Sequence, residues 1–137
     1  RALRQTFGVN FFGLVELTRK LLPLIRKSDS GRIVNVSSIL GSLTIQSTGG
    51  GISSFKPFAY NASKTAVNAF TVHLAAALSS TPIKVNSAHP GWVRTDMGGP
   101  QAPLLPEEGA RTAVRLATLG PDGPTGKFFH GDEELPW

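Results

Sequence analysis

The stretch Arg32-Ile33-Val34-Asn35-Val36-Ser37 decides how this chain is expected to fold. It is short and rich in β-branched residues, which favour β-strands. Ile33, Val34 and Val36 are also apolar, as expected of a strand that is covered on both faces. The stretch therefore predicts a strand inside a layered α/β structure.

Helical patterns lie on both sides of this strand. Apolar residues recur at three- and four-residue steps from about Leu3 to Arg26, and again, with many alanines, from Phe58 to Leu78. A third helix is predicted from Pro106 to about Leu119, because a proline followed by two glutamates suits a helix start. Strands that alternate with helices of this length predict a parallel sheet with helices on its faces. The other predicted strands are Ile83–Ala88 and Lys127–His130.

Two long segments lack such patterns and are predicted to be loops. Ser38 to Pro57 is rich in Gly, Ser and Thr, and His89 to Pro106 is rich in proline. Long loops in a compact domain are usually functional or mobile. No internal repeat or second domain is apparent, so the sequence predicts one domain.

Composition narrows the function classes. The 137 residues are 40% hydrophobic and 17% charged, which is typical of a globular domain and excludes intrinsic disorder. Cysteine is absent, so there is no disulfide, thiolate metal site or cysteine nucleophile. The net charge is +5, but the basic residues are scattered as singles and pairs. We interpret them as a solvated face, and a basic nucleic-acid-binding domain is the weaker alternative.

The motif most informative about function is Tyr60-Asn61-Ala62-Ser63-Lys64. Tyr60 and Lys64 are four residues apart on a predicted helix, so they share one face. Ser38 follows the first strand, and Pro90 to Thr95 follows the second. These strand ends open onto the edge of a parallel sheet where α/β proteins bind ligands. Taken alone, Tyr-x-x-x-Lys is a common pattern, and Ser38 is better explained as a cap hydroxyl.

Together, four segments in this order resemble the short-chain dehydrogenase/reductase family, over nearly the whole chain. The last of them, continued by Asp96 and Met97, is similar to the carbonyl-reductase branch. The resemblance implies the C-terminal part of a doubly wound, Rossmann-type parallel-sheet domain. The four segments are Val9-Asn-Phe-Phe-Gly13, Arg32-Ile-Val-Asn-Val-Ser-Ser38, Tyr60-Asn-Ala-Ser-Lys64 and Pro90-Gly-Trp-Val-Arg-Thr95.

The resemblance also implies roles for particular residues. Tyr60 is expected to be the catalytic acid/base, and Lys64 its partner, which also holds the nicotinamide ribose. Ser38 is expected to hydrogen-bond the substrate oxygen, and Asn10 to support a proton-relay water. No metal is expected. The segment expected to line the nicotinamide comprises Pro90, Gly91, Val93 and Thr95.

The sequence departs from the family pattern in two ways. It contains no Gly-rich dinucleotide fingerprint, so we expect residues 1–137 to be the C-terminal portion of a single dinucleotide-binding domain whose first strands precede Arg1. We expect this segment alone to be inactive and not to be stabilised by cofactor. Tyr60 also lies 22 residues after Ser38, a longer spacing than is usual in the family. The extra residues fall in the predicted loop, where insertions cost little closure entropy.

The leading hypothesis is an oxidoreductase that transfers hydride between NAD(P)H and a ketone or aldehyde, or the reverse. NADP is favoured over NAD by likeness to carbonyl reductases. The alternative is a truncated or non-catalytic relative that serves as a binding or scaffolding module. We expect a small carbonyl or alcohol substrate, no nucleic-acid or membrane partner, and a cytoplasmic location. A monomer is expected, with a homo-oligomer as the alternative, because the extra loop lies near the helices through which relatives pair.

Overall fold

The computed structural model describes residues 1–54 and 56–137. Its sheet has four strands in the order β1-β2-β3-β4. The first three pair in parallel, with Arg32 opposite Lys84 and Val36 opposite Ala88, which confirms the predicted parallel sheet. The strands are β1 (Arg32–Val36), β2 (Lys84–Ala88), β3 (Lys127–His130) and β4 (Glu133–Glu134).

The first predicted helix is confirmed, but its geometry changes along its length. An α-helix α1 (Ala2–Phe7) passes into a π-helical turn (Gly8–Phe12) and then into α2 (Gly13–Ile25). The backbone stays right-handed helical through Gly8 and Gly13, so the chain does not break. Asn10 lies within this turn, and single π turns inside helices are frequently found at functional sites.

Helices cover both faces of the sheet. On one face, α4 (Phe58–Ala77) packs through Leu74 and Ala75 against Ile33 and Val85. On the other face, α5 (Pro106–Ala117) packs through Leu116 against Ala88 and Phe129. Both helices match their predicted positions. No helix among residues 1–54 and 56–137 combines the length and hydropathy needed to cross a membrane.

A buried polar network fixes α4 on the sheet. The Thr71 hydroxyl accepts hydrogen bonds from Asn35 Nδ2 at 2.9 Å and from Ser87 Oγ at 2.8 Å, and it donates to the Val67 carbonyl at 3.1 Å. Asn35 lies on β1 and Ser87 on β2, so one side chain of α4 is held by two strands. Buried polar groups that lose their hydrogen-bond partners reduce the stability of the fold. This network therefore fixes the position of α4 along the sheet.

The prediction that Ser38 to Pro57 is a plain loop is wrong. The segment contains a 3₁₀ turn (Ile39–Gly41), the short helix α3 (Leu43–Ser47) and a second 3₁₀ turn (Gly51–Ser54). Its serines act as caps: Ser42 Oγ accepts a hydrogen bond from the Ile45 N–H at 3.1 Å. Phe55, which was part of the same prediction, lies outside the described residues.

Strand β4 was not predicted. It pairs antiparallel with β3, with Glu134 opposite Phe129 and Glu133 opposite His130. Two adjacent glutamates are poor strand formers, so local sequence gives no signal for it. At the other side of the sheet, β1 has no further strand beside it among the described residues, and Val36 is 52% exposed.

Candidate active site

The carboxyl ends of β1 and β2 open into a cavity of about 1190 Å³. Parallel strands place the segments that follow them at one edge of the sheet, and α4 returns Tyr60 to the same edge. Six of the predicted site residues therefore line one cavity, although they come from three segments of the chain. These are Ser38, Tyr60, Pro90, Gly91, Val93 and Thr95.

Ser38 begins the 3₁₀ turn that follows β1. Its Oγ accepts a hydrogen bond from the Leu40 N–H at 3.2 Å, and its carbonyl accepts one from the Gly41 N–H at 2.8 Å. The expectation of a cap hydroxyl is therefore confirmed. Because Oγ is the acceptor in that bond, its own proton remains free to be donated to a ligand in the cavity.

Gly41 packs this turn directly against α4. It was not singled out from the sequence. A Cβ on Gly41 would lie 2.7 Å from the Lys64 carbonyl carbon and 2.9 Å from the Lys64 Cβ. The Gly41 carbonyl also accepts a hydrogen bond from Thr65 Oγ1 at 2.9 Å. Only glycine allows this approach, so the turn that carries Ser38 rests directly on the backbone of the helix that carries Tyr60.

Tyr60 and Lys64 contact each other across one turn of α4. Lys64 Nζ lies 5.7 Å from the centroid of the Tyr60 ring and donates a hydrogen bond to the Val36 carbonyl at 3.0 Å. Burial lowers the pKa of the Lys64 ammonium from its ordinary value. The Lys64 ammonium therefore lies within range of a direct Coulomb interaction with the Tyr60 side chain.

Asn10 reaches Tyr60 indirectly and is not among the residues that line the cavity. Its Nδ2 donates to Ser63 Oγ at 3.0 Å, and Ser63 Oγ donates to the Tyr60 carbonyl at 2.7 Å. Ser63 was not singled out from the sequence. The two bonds tie the π turn to the first turn of α4, beside Tyr60 and Lys64.

His89 and His130 form a pair beside the cavity, which the sequence analysis did not assign to the site. Their ring centroids are 5.0 Å apart, and His130 Nδ1 bonds the His89 carbonyl at 2.9 Å. His89 Nδ1 accepts a hydrogen bond from the Ile39 N–H at 3.2 Å. Burial, and secondly the charge of His130, lower the pKa of His89 to about 4. The free energy of unfolding therefore falls as the pH drops from about 6.5 to about 4, because only the unfolded chain binds the proton there.

The rest of the described cavity wall is apolar. Ile52, Trp92 and Met97 reach the wall and are 47%, 58% and 87% exposed. None of the described residues that line the cavity is Asp, Glu, Lys or Arg. The polar side chains of the described wall are thus Ser38, Tyr60, His89 and Thr95, besides the Trp92 indole N–H, which donates to the Gly98 carbonyl at 2.8 Å.

Comparisons with known proteins bear on the fold and the family of this chain. A family model described as short chain dehydrogenase matches residues 1–103. The Mus musculus protein named carbonyl reductase (NADPH) 1 is 34% identical over 170 residues, which is 96% of this chain and 61% of that protein. The Myxococcus xanthus protein named C-signal is 34% identical over 98% of this chain and 78% of its own length. The carbonyl reductase Sniffer of D. melanogaster has a TM-score of 0.85 at 34% identity, over 99% of this chain and 57% of that one.

These matches confirm the predicted fold class, because a solved structure superposes on nearly all of the chain. The chain spans about three fifths of the length of the carbonyl reductases that it matches.

We predict that Gly41→Ala destabilises the protein by about 1–3 kcal/mol, because the added methyl group would push the Ser38 turn away from the backbone of Lys64. Gly120→Ala is the matched control, since a Cβ there meets nothing within 4 Å. Urea denaturation followed by circular dichroism measures both free energies. Equal stability of the two variants would contradict the close packing described for Gly41.

Proposed function

We propose that this chain, which belongs to the short-chain dehydrogenase family, takes part in hydride transfer between NADPH and a ketone or aldehyde, or in the reverse reaction. The proposal rests on one observation. The Ser38 hydroxyl and the Tyr60 phenol line the same cavity, and the Lys64 ammonium lies behind the Tyr60 ring.

Each of these groups has a chemical task in the proposed reaction. Addition of hydride to a carbonyl carbon leaves negative charge on the oxygen, and that oxygen must receive a proton. Tyr60 donates this proton, and the Lys64 ammonium stabilises the phenolate that remains. Ser38 donates a hydrogen bond to the developing oxyanion, which its cap geometry permits. In the reverse direction, the Tyr60 phenolate accepts the proton from the alcohol.

The residues at the cavity fit the nicotinamide half of the cofactor. Bound NADPH would supply the hydride. Lys64 and Tyr60 would bind the nicotinamide ribose, and the segment that follows β2 would line the ring. NADPH is favoured over NADH because NADPH stands in the names of similar carbonyl reductases. The segment in question comprises Pro90, Gly91, Val93 and Thr95.

The fit does not extend to the pyrophosphate. In dinucleotide-binding folds this group sits on a Gly-rich turn between a strand and a helix N-terminus. No described strand is followed by such a turn. We propose that residues 1–137 form the C-terminal portion of a single dinucleotide-binding domain. The open edge of β1, where a further parallel strand would pair, supports this proposal.

The cavity wall also supports a proposal about the substrate. A carboxylate or phosphate on the substrate would find no cationic side chain among the described lining residues. Desolvating such a charge without a partner is costly. An uncharged, apolar ketone or aldehyde is therefore the proposed substrate, with Ile52, Trp92 and Met97 against its apolar part. The monomeric state and the cytoplasmic location stay predictions.

In the complete dinucleotide-binding domain, we predict that Tyr60→Phe lowers kcat for an uncharged ketone by at least about 10²-fold, because it removes the proton donor and keeps the ring. The Kd of NADPH should change little. Steady-state kinetics and fluorescence titration with NADPH measure the two effects. Ser80→Ala, an exposed serine in the turn after α4, is the control and should keep full activity.

Near-normal turnover of Tyr60→Phe would show that Tyr60 is not the acid. Absence of any carbonyl reduction by the complete, unaltered dinucleotide-binding domain would favour the non-catalytic binding module instead.

We predict that Lys64→Ala, unlike Tyr60→Phe, damages both kcat and NADPH affinity, because one ammonium serves the phenolate and the ribose. The same kinetic and titration measurements separate the two effects. Lys20→Ala is the control, since Lys20 is exposed on α2. Loss of turnover with unchanged NADPH affinity would rule out the ribose contact, and unchanged turnover would rule out the coupling to Tyr60.

A further inference from the structure

We infer that His89 is a positioning residue that orients Ser38 by accepting a hydrogen bond from the backbone of the next residue, Ile39. This inference rests on the proposed function, since it gives His89 a task in the same site. The bond runs from the Ile39 N–H to His89 Nδ1 over 3.2 Å. The Ile39 nitrogen belongs to the peptide group that leaves Ser38, so the bond fixes the orientation of that peptide.

The hydrogen bonds of the turn show that the Ile39 N–H needs a hydrogen-bond acceptor from outside the turn. The first N–H groups of a helical turn have no partner within the turn. Leu40 N–H is bound by Ser38 Oγ, and Gly41 N–H is bound by the Ser38 carbonyl. Ile39 N–H is the remaining donor, and among the described residues His89 is its partner.

The histidine must be neutral to do this, with a defined tautomer. Nδ1 accepts a hydrogen bond only when it carries no proton, so the ring proton of His89 lies on Nε2. His130 has the opposite tautomer, because its Nδ1 must donate to the His89 carbonyl at 2.9 Å. This second bond holds the His89 backbone. Burial and the neighbouring His130 ring keep the pKa of His89 near 4, so the acceptor is present at neutral pH.

The position of Tyr60 depends on other contacts. Its helix is held by Thr71 on the sheet and by the Asn10–Ser63 link at its first turn. Loss of the His89 bond should therefore displace the Ser38 hydroxyl and leave Tyr60 and the nicotinamide side of the cavity in place. The expected signature is a fall in kcat with little change in NADPH affinity.

The test compares His89→Leu, which has no acceptor, with His89→Asn, whose Oδ1 replaces Nδ1 as acceptor. We expect His89→Leu to lower kcat by at least about tenfold, because small displacements of a group that contacts the reacting atoms are costly to the rate. His89→Asn should recover most of that loss, and NADPH affinity should stay within about twofold of the unaltered protein in both. In a Ser38→Ala background, His89→Leu should cost almost nothing more, since the residue through which it acts is gone.

Nitrogen-15 NMR of the imidazole rings gives a readout that does not depend on activity. We expect the Nε2–H tautomer for His89 and the Nδ1–H tautomer for His130. An Nδ1–H tautomer for His89, full activity of His89→Leu, or additive losses in the Ser38→Ala background would each overturn this inference while leaving the proposed function intact. A complete, unaltered dinucleotide-binding domain with the expected tautomers but no carbonyl reduction would overturn both.

Discussion

The contact of Gly41 with the backbone of Lys64 is the constraint on which the site depends. It brings the turn after β1 against α4 at a distance that no Cβ would allow. The Thr71 network on the sheet sets the position of α4, and the Gly41 contact sets the position of the Ser38 turn relative to α4. A serine from a strand end and a tyrosine from a helix thereby line one cavity, which is the arrangement that the proposed proton transfer requires.

Burial and contacts with neighbouring groups together determine which side chains of the site carry a charge and where that charge lies. The Lys64 ammonium is partly buried behind Tyr60 and anchored on the Val36 carbonyl, so its charge acts on the phenol at short range. The described cavity wall carries no charged side chain, and burial keeps His89 neutral. An apolar wall with few polar groups makes each remaining hydrogen bond stronger than it would be in water. Such a wall suits an uncharged carbonyl compound and a developing oxyanion held by Ser38 and Tyr60.

The features that could be predicted from the sequence are those determined by residue periodicity and by the order of the strands. The four-residue spacing puts Tyr60 and Lys64 on one helical face, and parallel strands put Ser38 and Pro90 at one sheet edge. It did not reveal the π turn around Asn10, because apolar spacing there still fits an α-helix. The roles of Gly41 and His89 depend on close approaches between segments far apart in the chain, which no local pattern encodes. The helical turns after Ser38 were missed because serines that cap helices also occur in loops.

The proposed reaction requires that Ser38 and Tyr60 bind one carbonyl oxygen in this cavity. A crystal structure of the complete dinucleotide-binding domain with NADP and an unreactive, uncharged carbonyl ligand would show whether they do. We expect the ligand oxygen within about 3 Å of both Tyr60 Oη and Ser38 Oγ, with the carbonyl carbon facing the nicotinamide ring. A carbonyl oxygen bound away from both hydroxyls, in a complex with the cofactor in place, would contradict it.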